Sequence, residues 1–434
     1  MSAPAEAEPR SATRAGETVL PVPLEELAGV PTPAYVYDVA EVRRSQAQLR
    51  ASLPERTGLY YSLKANPHPA LLRTLRAGGA RPEVCSTGEL AAALEAGWAA
   101  GEVLYTGPGK RDEEIADALV RGVRFFSVDS PHAIEQLSRI AGERGAVARC
   151  LLRINDDEPV PGQGLAMTGV ASQFGADTSW VLAEPARFAN RPHARVVGLH
   201  LYMGSNLCEV DDLVGQFTRS LRTARSLGDV LAAHGVRIEV LDLGGGFGAP
   251  FAKAGKVPDL RALRPALETL FDEQIPGWRD GGPEVVFESG RHLVGTAGTL
   301  LTAVLDVKRS HGKDIVVLES GINHLGGMAG MRRLPPLNPA LVAAQEPLLE
   351  GELTALVAGP LCTPLDTWAR GARLPALRPG DLVAVPNVGA YGLSASLVAF
   401  LGHPLPAEAV VDSDRPGTPP EISRTTLIRQ GVID

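Results

Sequence analysis

Short apolar runs recur along the first two thirds of the chain, at residues 59–64, 83–86, 103–107, 125–130, 149–155, 196–204, 240–246 and 285–291. Most gaps between them carry an Ala/Leu/Glu pattern with helical spacing, as in "STGELAAALEAG" and "SPHAIEQLSRIAGERG". The first opens with Ser86 and Glu89 at capping-box spacing. Strand and helix alternating eight times over about 230 residues predicts a (β/α)8 barrel. A doubly wound sheet is the alternative, but it rarely needs eight equal units. After residue 296 the pattern changes. "TLLTAVLDVKRS", "KDIVVLES", "ELTALVAG" and "DLVAVPNVG" read as strands without regular helices between them. They predict a second, mainly β domain, which the early strand "PAYVYD" joins. The expected boundaries are a disordered tail over 1–28, the joining strand over 29–40, the barrel over 41–296 and the β domain over 297–434.

The polar ends of the apolar runs change the picture. They read "SLKAN", "VCSTGE", "YTGPGK", "SVDS", "RIN", "HLYMGSN", "LGGGFG" and "ESGR". In a barrel such tips share one face, where the active site is built. Lys64 therefore stands at a strand tip among other tips, whereas a lysine with only a solvating role more often lies on a helix face. The glycines of "LDLGGGFG" lack Cβ atoms, so backbone N–H groups there can close on a phosphate. A tight turn is the plainer reading of the same residues. "VVFESGR" offers Glu288 and Arg291 within one turn, in isolation no more than a local ion pair. Together, a lysine, a phosphate loop and a carboxylate suit a cofactor that has an aldehyde, a phosphate and a ring nitrogen. Lysine forms a Schiff base with the aldehyde, and a carboxylate keeps the ring nitrogen protonated. That cofactor is pyridoxal 5′-phosphate.

Composition narrows the classes. The 434 residues suit two domains, and 44% hydrophobic with 21% charged residues is an ordinary globular balance. A formal net charge of −8 argues against nucleic-acid binding. No run of 18 apolar residues is present, so no membrane span is expected. The start lacks the apolar stretch of a secretory signal. Cys85, Cys150, Cys208 and Cys362 are far apart, without a CxxC pair. Neither a zinc site nor a disulfide framework is expected, and the chain is expected in the cytoplasm.

The ordered set "YYSLKAN", "VCSTGEL", "GPGK", "SVDS", "SQFG", "GLHLYMGSN", "LDLGGGFG", "ESGR", "GPLCTPLD" and "GDLVAVPNVGAYG" resembles the fold-type III PLP-dependent decarboxylases. These are the diaminopimelate, ornithine and arginine decarboxylases, with an alanine-racemase-like barrel. The resemblance implies that Lys64 binds the aldehyde, and that Gly244, Gly245 and Gly246, with Ser205, hold the phosphate. It implies that Glu288 meets the pyridine nitrogen and that Arg291 binds phosphate or a substrate carboxylate. Cys362 would donate a proton to Cα, with Asp366 as a nearby substrate-side acid, and Tyr391 would reach the cofactor. An obligate homodimer is implied, because the family's cysteine loop crosses from the second subunit. The plainer readings are a buried apolar Cys362, an Asp366 capping a helix "LDTWARGARL", and a core Tyr391. Tyr202 occupies the place where the family stacks a histidine on the ring, so stacking falls to Tyr202. His200 is then a core residue or a support for the site.

The departures from the family fall at the far end of the substrate pocket. Diaminopimelate decarboxylases usually read Cys-Glu-Ser-x-Asp where this chain has "CTPLD", so Thr363 replaces a carboxylate. Arg332, a candidate substrate ligand, is followed by "RLPPL" without the family's tyrosine. "ESGR" replaces Glu-Pro-Gly-Arg. The pattern resembles the specialised-metabolism branch of the family. The expected activity is therefore removal of the α-carboxylate from an amino acid or amino-acid conjugate, carrier-bound substrates included. The alternatives are meso-diaminopimelate decarboxylation, amino-acid racemisation, and a non-catalytic PLP-holding barrel. Racemase-type sites place an arginine at the ring nitrogen, whereas residue 288 is glutamate.

Overall fold

The computed structural model describes residues 20–157, 168–326, 339–344, 351–429 and 431. β1 (Ala34–Asp38) leads into α1 (Val39–Ser52), and the alternation read from the sequence follows. Its units are β2 (Gly58–Ser62), α2 (Pro69–Ala77), β3 (Arg81–Val84), α3 (Thr87–Glu95), β4 (Leu104–Tyr105), α4 (Asp112–Val120), β5 (Phe125–Val128), α5 (Pro131–Glu143) and β6 (Ala148–Asn155). After β7 (Ala176–Asp177) and α6 (Thr178–Ala183) come β8 (Ala194–Leu201), α7 (Val210–Ala232), β9 (Val240–Asp242), α8 (Leu263–Gln274), β10 (Glu284–Ser289) and α9 (Arg291–Val294). The parallel ladder runs β5-β4-β3-β2-β10-β9-β8-β6 and closes through β5 and β6, with β7 paired outside β6. This is the (β/α)8 barrel. Local chemistry sets the helix starts. The Ser86 hydroxyl accepts from the Glu89 N–H at 3.1 Å, and Glu89 accepts from the Cys85 N–H at 2.8 Å.

The strand pleat stacks the interior in two layers. Tyr60, Leu104, Phe125, Leu151, Val197, Val240 and Val286 form one buried apolar cluster. Two residues further along their strands stand Ser62, Thr106, Ser127, Arg153, Asp242 and Glu288, all buried, with Glu83 and His200 beside them. Side chains at i and i+2 share a face, so an apolar plug carries a polar layer at the C-terminal end.

The remaining strands are β11 (Gly298–Ser310), β12 (Lys313–Leu318), β13 (Val342–Ala343), β14 (Glu352–Ala358), β15 (Thr367–Pro375), β16 (Leu382–Val385), β17 (Ala407–Val411) and β18 (Glu421–Ser423). They form a mixed sheet in the order β15-β14-β12-β11-β1-β17-β18, with β16 on β11 and β13 on β16. β1 pairs antiparallel with β11 and parallel with β17. Two expectations are corrected. Residues 20–28 are not tail: a 3-10 turn at Leu24–Leu27 buries Val22 and Leu27 against Val36, Leu301 and Val411. "LDTWARGARL" is not a helix capped by Asp366. It is β15, whose long ladder with β14 overrides the helical spacing.

The β domain is keyed onto the barrel beside Lys64. The Tyr391 N–H donates to Ala65 O at 2.8 Å, and Asn66 Nδ2 donates to Gly389 O at 2.9 Å. Asn387 Nδ2 reaches Lys253 O and Gly255 O. A side chain at Gly389 would run into Val294 O, at 1.9 Å, so only glycine passes there.

His292 is fully buried and donates through Nδ1 to Gly248 O at 3.0 Å. Burial pulls its pKa from 6.5 down to about 4. The folded chain keeps this ring neutral while the unfolded chain takes up a proton below pH 6.5, so stability falls as pH drops through that value. The loss is complete near pH 4, at about 3 kcal/mol for this one group. Thermal midpoints measured from pH 7 to 4 should fall less steeply for His292→Gln than for the natural chain.

Candidate active site

Lys64 sits in a 3-10 turn, Leu63–Ala65, where β2 ends. Its side chain is 45% exposed, and Nζ lies 3.6 Å from Glu83 Oε2. Partial burial works against the ammonium, but Glu83, Tyr391 and Glu288 outweigh it and hold the pKa above the ordinary lysine value. Burial would likewise raise Glu83. Lys64, with hydrogen bonds from Ser62 and Thr106, outweighs that and keeps the carboxylate charged.

Glu288 lies near the end of β10, inside the polar layer. Burial pushes its pKa well up, and Asp242 and Glu83 push it further. Its Oε1 lies 3.4 Å from His200 Nε2. Burial holds the His200 ring neutral, and Ser127 Oγ anchors Nδ1 at 3.0 Å. His200 thus flanks Glu288.

The glycine loop fits tightly between neighbours. A Cβ at Gly244 would lie 2.8 Å from Tyr202 Cδ2, one at Gly245 2.3 Å from Glu288 O, and one at Gly246 2.9 Å from Gly204 O. Gly244 and Gly246 also have φ of +65° and +103°, which favour glycine. Leu207 N–H donates to Gly246 O at 2.7 Å, joining this loop to the segment that carries half-buried Ser205. Gln216 of α7 donates to Gly245 O at 2.9 Å from below. Arg291 follows the next strand, its guanidinium 4.9 Å from the centre of the Tyr391 ring and 5.7 Å from that of Phe251. Tyr391 has φ of +56°. The fold therefore gathers Lys64, Tyr202, Ser205, the three glycines, Glu288, Arg291 and Tyr391.

Other expected residues stand apart. Cys362 is exposed, in the loop between β14 and β15. Asp366, expected as a substrate-side acid, lies at the end of the same loop. It is buried, and its two oxygens accept from Ile322 N–H at 2.8 Å and Leu361 N–H at 2.9 Å. Arg332 lies outside the described residues. The sequence reading missed Glu83, Arg153, Asp242 and the placement of His200. For Arg153 and Asp242 the available signal was a charged residue two positions after an apolar interior residue, Leu151 and Val240 respectively.

These residues fit pyridoxal 5′-phosphate. Glu288 Oε1 is a buried acceptor without a partner, suited to a protonated ring nitrogen. The glycine loop is a cradle that any side chain would fill, and Lys64 is the amine beside both. His200, Asp242 and Glu288 also have spacing that could hold a metal, but their place opposite Lys64 suits the ring nitrogen.

Fold and site together define a pyridoxal-phosphate enzyme of the barrel-plus-β-domain class. Residues 39–295 match the model of the pyridoxal-binding domain of the pyridoxal-dependent decarboxylases. The chain belongs to that family. It is 33% identical to L-glutamyl-[BtrI acyl-carrier protein] decarboxylase of Niallia circulans, over 91% of this chain and 94% of that one. It is 30% identical to 2-[(L-alanin-3-ylcarbamoyl)methyl]-2-hydroxybutanedioate decarboxylase of Staphylococcus aureus, over 86% and 92%. Among solved structures it is similar to Helicobacter pylori diaminopimelate decarboxylase complexed with L-lysine, with a TM-score of 0.78 and 25% identity over 92% and 95% of the chains. The protein is a PLP-dependent amino-acid decarboxylase, as the sequence suggested. Among the described residues no helix is long and apolar enough to cross a membrane.

Lys64→Ala should abolish the visible absorption of the bound cofactor and lower turnover on the order of a thousandfold or more. Absorption spectra and CO2-release assays of the purified variant check both.

Proposed function

We propose that this enzyme removes CO2 from the α-carbon of an amino acid held in a larger conjugate, with an aminoacyl carrier protein as the leading substrate class. The observation that carries the reading is Thr363, a neutral, half-buried residue next to Cys362, where the lysine-pathway enzymes place a glutamate for the distal ammonium. Its hydroxyl accepts from the Leu365 N–H at 3.3 Å, a turn contact without charge. A pocket lacking that carboxylate suits a substrate whose far end is not a free ammonium. The carrier-bound and amide-linked substrates named for two relatives are of this kind.

Bound in the site, the cofactor supplies an electron sink for the charge left at Cα when CO2 departs. Lys64 would hold the aldehyde carbon. Glu288 keeps the ring nitrogen protonated. The loop of Gly244, Gly245 and Gly246, with Ser205, holds the phosphate, and Tyr391 with Arg291 borders it. Tyr202 covers one ring face, which a phenol can do by stacking. Arg291 is braced by two aromatic rings and offers a guanidinium to a carboxylate or phosphate.

Cys362 acts as proton donor to Cα, in the active site of a second copy. Its exposure supports this, because within one chain it does not join the buried layer. Asp366 shapes the loop that presents it. The working protein is a homodimer with both sites at the interface. Four free cysteines fit a reducing, cytoplasmic setting.

Two assays test the reading. CO2 release from a panel of aminoacyl carrier proteins, amide conjugates and free diamino acids should favour the conjugates. Turnover of free meso-diaminopimelate at ordinary enzyme rates would reject them as the substrate class. Mixing inactive Lys64→Ala with inactive Cys362→Ala should restore roughly a quarter of natural activity, because random re-pairing gives half the dimers one intact site. A mixture that stays inactive counts against shared sites.

A further inference from the structure

Among the described residues of the buried layer, four polar atoms have no hydrogen-bond partner: Glu83 Oε2, which lies 3.6 Å from Lys64 Nζ, and His200 Nε2, Asp242 Oδ2 and Glu288 Oε1. The last three residues stand together. The three side chains bring their polar atoms within 4.8 Å of one another. Asp242 Oδ1 accepts from the Gly244 N–H at 2.9 Å, which leaves Oδ2 as the unpaired atom. The Asp242 and Glu288 side chains are within hydrogen-bonding reach. Two carboxylates only accept, so they cannot bond to each other. A carboxyl and a carboxylate can.

The surrounding charges ask for the same proton. Glu83 from β3, Lys64 after β2 and Arg153 from β6 act on the pair. His200 from β8 is neutral, and burial keeps the Tyr60 and Tyr202 phenols protonated. Three carboxyls thus meet two cations. A single proton on the pair brings this layer to neutrality, whereas its absence leaves one uncompensated negative charge in a buried space.

We propose that Asp242 and Glu288 hold one proton between them, which makes Asp242 a positioning residue for the carboxyl that meets the ring nitrogen. The proposal rests on the reading of Glu288 as that carboxyl. Burial raises both groups, Asp242 to about 7. The shared proton fixes the Glu288 carboxyl against Asp242 and leaves one negative charge for the ring side. It also ties the ring-nitrogen site to the phosphate loop, because Asp242 holds the Gly244 N–H with its other oxygen.

Infrared spectra of the holoenzyme, unlabelled and with 13C at the aspartate and glutamate side-chain carboxyls, test this. A protonated-carboxyl stretch is expected at pH 7. It should shift on labelling and be missing from both Asp242→Asn and Glu288→Gln. Its absence from the natural holoenzyme, or its survival in Asp242→Asn, overturns the proposal. Asp242→Asn, whose amide stands in for the proton, should hold the cofactor within about threefold of natural affinity, while Asp242→Leu weakens it roughly tenfold or more. Equal loss in both overturns the positioning role. If Asp242→Leu does not fold, the labelled natural enzyme decides alone. The reading of Glu288 fails separately: Glu288→Gln holoenzyme would then keep its visible band and its pH dependence unchanged, whatever the infrared spectrum shows.

Discussion

Side chains two positions apart on a barrel strand point the same way, and the site depends on that constraint. The apolar plug of Tyr60, Leu104, Phe125, Leu151, Val197, Val240 and Val286 closes the barrel from below. The next inward positions carry Glu83, Arg153, Asp242 and Glu288. Without the plug these groups would be solvated and ordinary. Above it they are buried, so their charges must balance against one another and against Lys64. Lys64 and Glu83 keep each other ionised, while Glu288 and Asp242, crowded by like charge, resist ionisation together.

Backbone contacts give this layer its shape. The glycine loop after β9 passes so close to Tyr202, Gly204 and Glu288 that side chains cannot be accommodated there. Gln216 and Leu207 tether it from two other elements. The β domain completes the arrangement through Tyr391 and Asn66, which lock the Lys64 turn to the segment after β16. Catalytic face and second domain are therefore one construction. The exposed Cys362 loop is held by Asp366 rather than by the barrel. That division suits a site whose cofactor half belongs to one chain and whose proton donor comes from another.

Much was legible before the fold was known. Strand and helix periods specified eight repeating units, and each observed barrel strand overlaps an expected run. The Lys64 tip, the glycines and Glu288 were visible because they interrupt apolar runs where a barrel gathers its loops. Errors arose where a pairing partner decides the outcome. β15 has helical spacing but is captured by β14, and residues 20–28, a short proline-bearing stretch, find a pocket against β1, β11 and β17.

The sequence alone determined the barrel and the pyridoxal-dependent decarboxylase family, since these rest on local period and residue type. Only the tertiary structure decided which polar residues share the buried layer, that His200 flanks Glu288, and that Asp366 spends its carboxylate on backbone amides. Those outcomes depend on distances between segments far apart in the chain. Periodicity carries no record of such distances, and electrostatic coupling in a buried space depends on them directly.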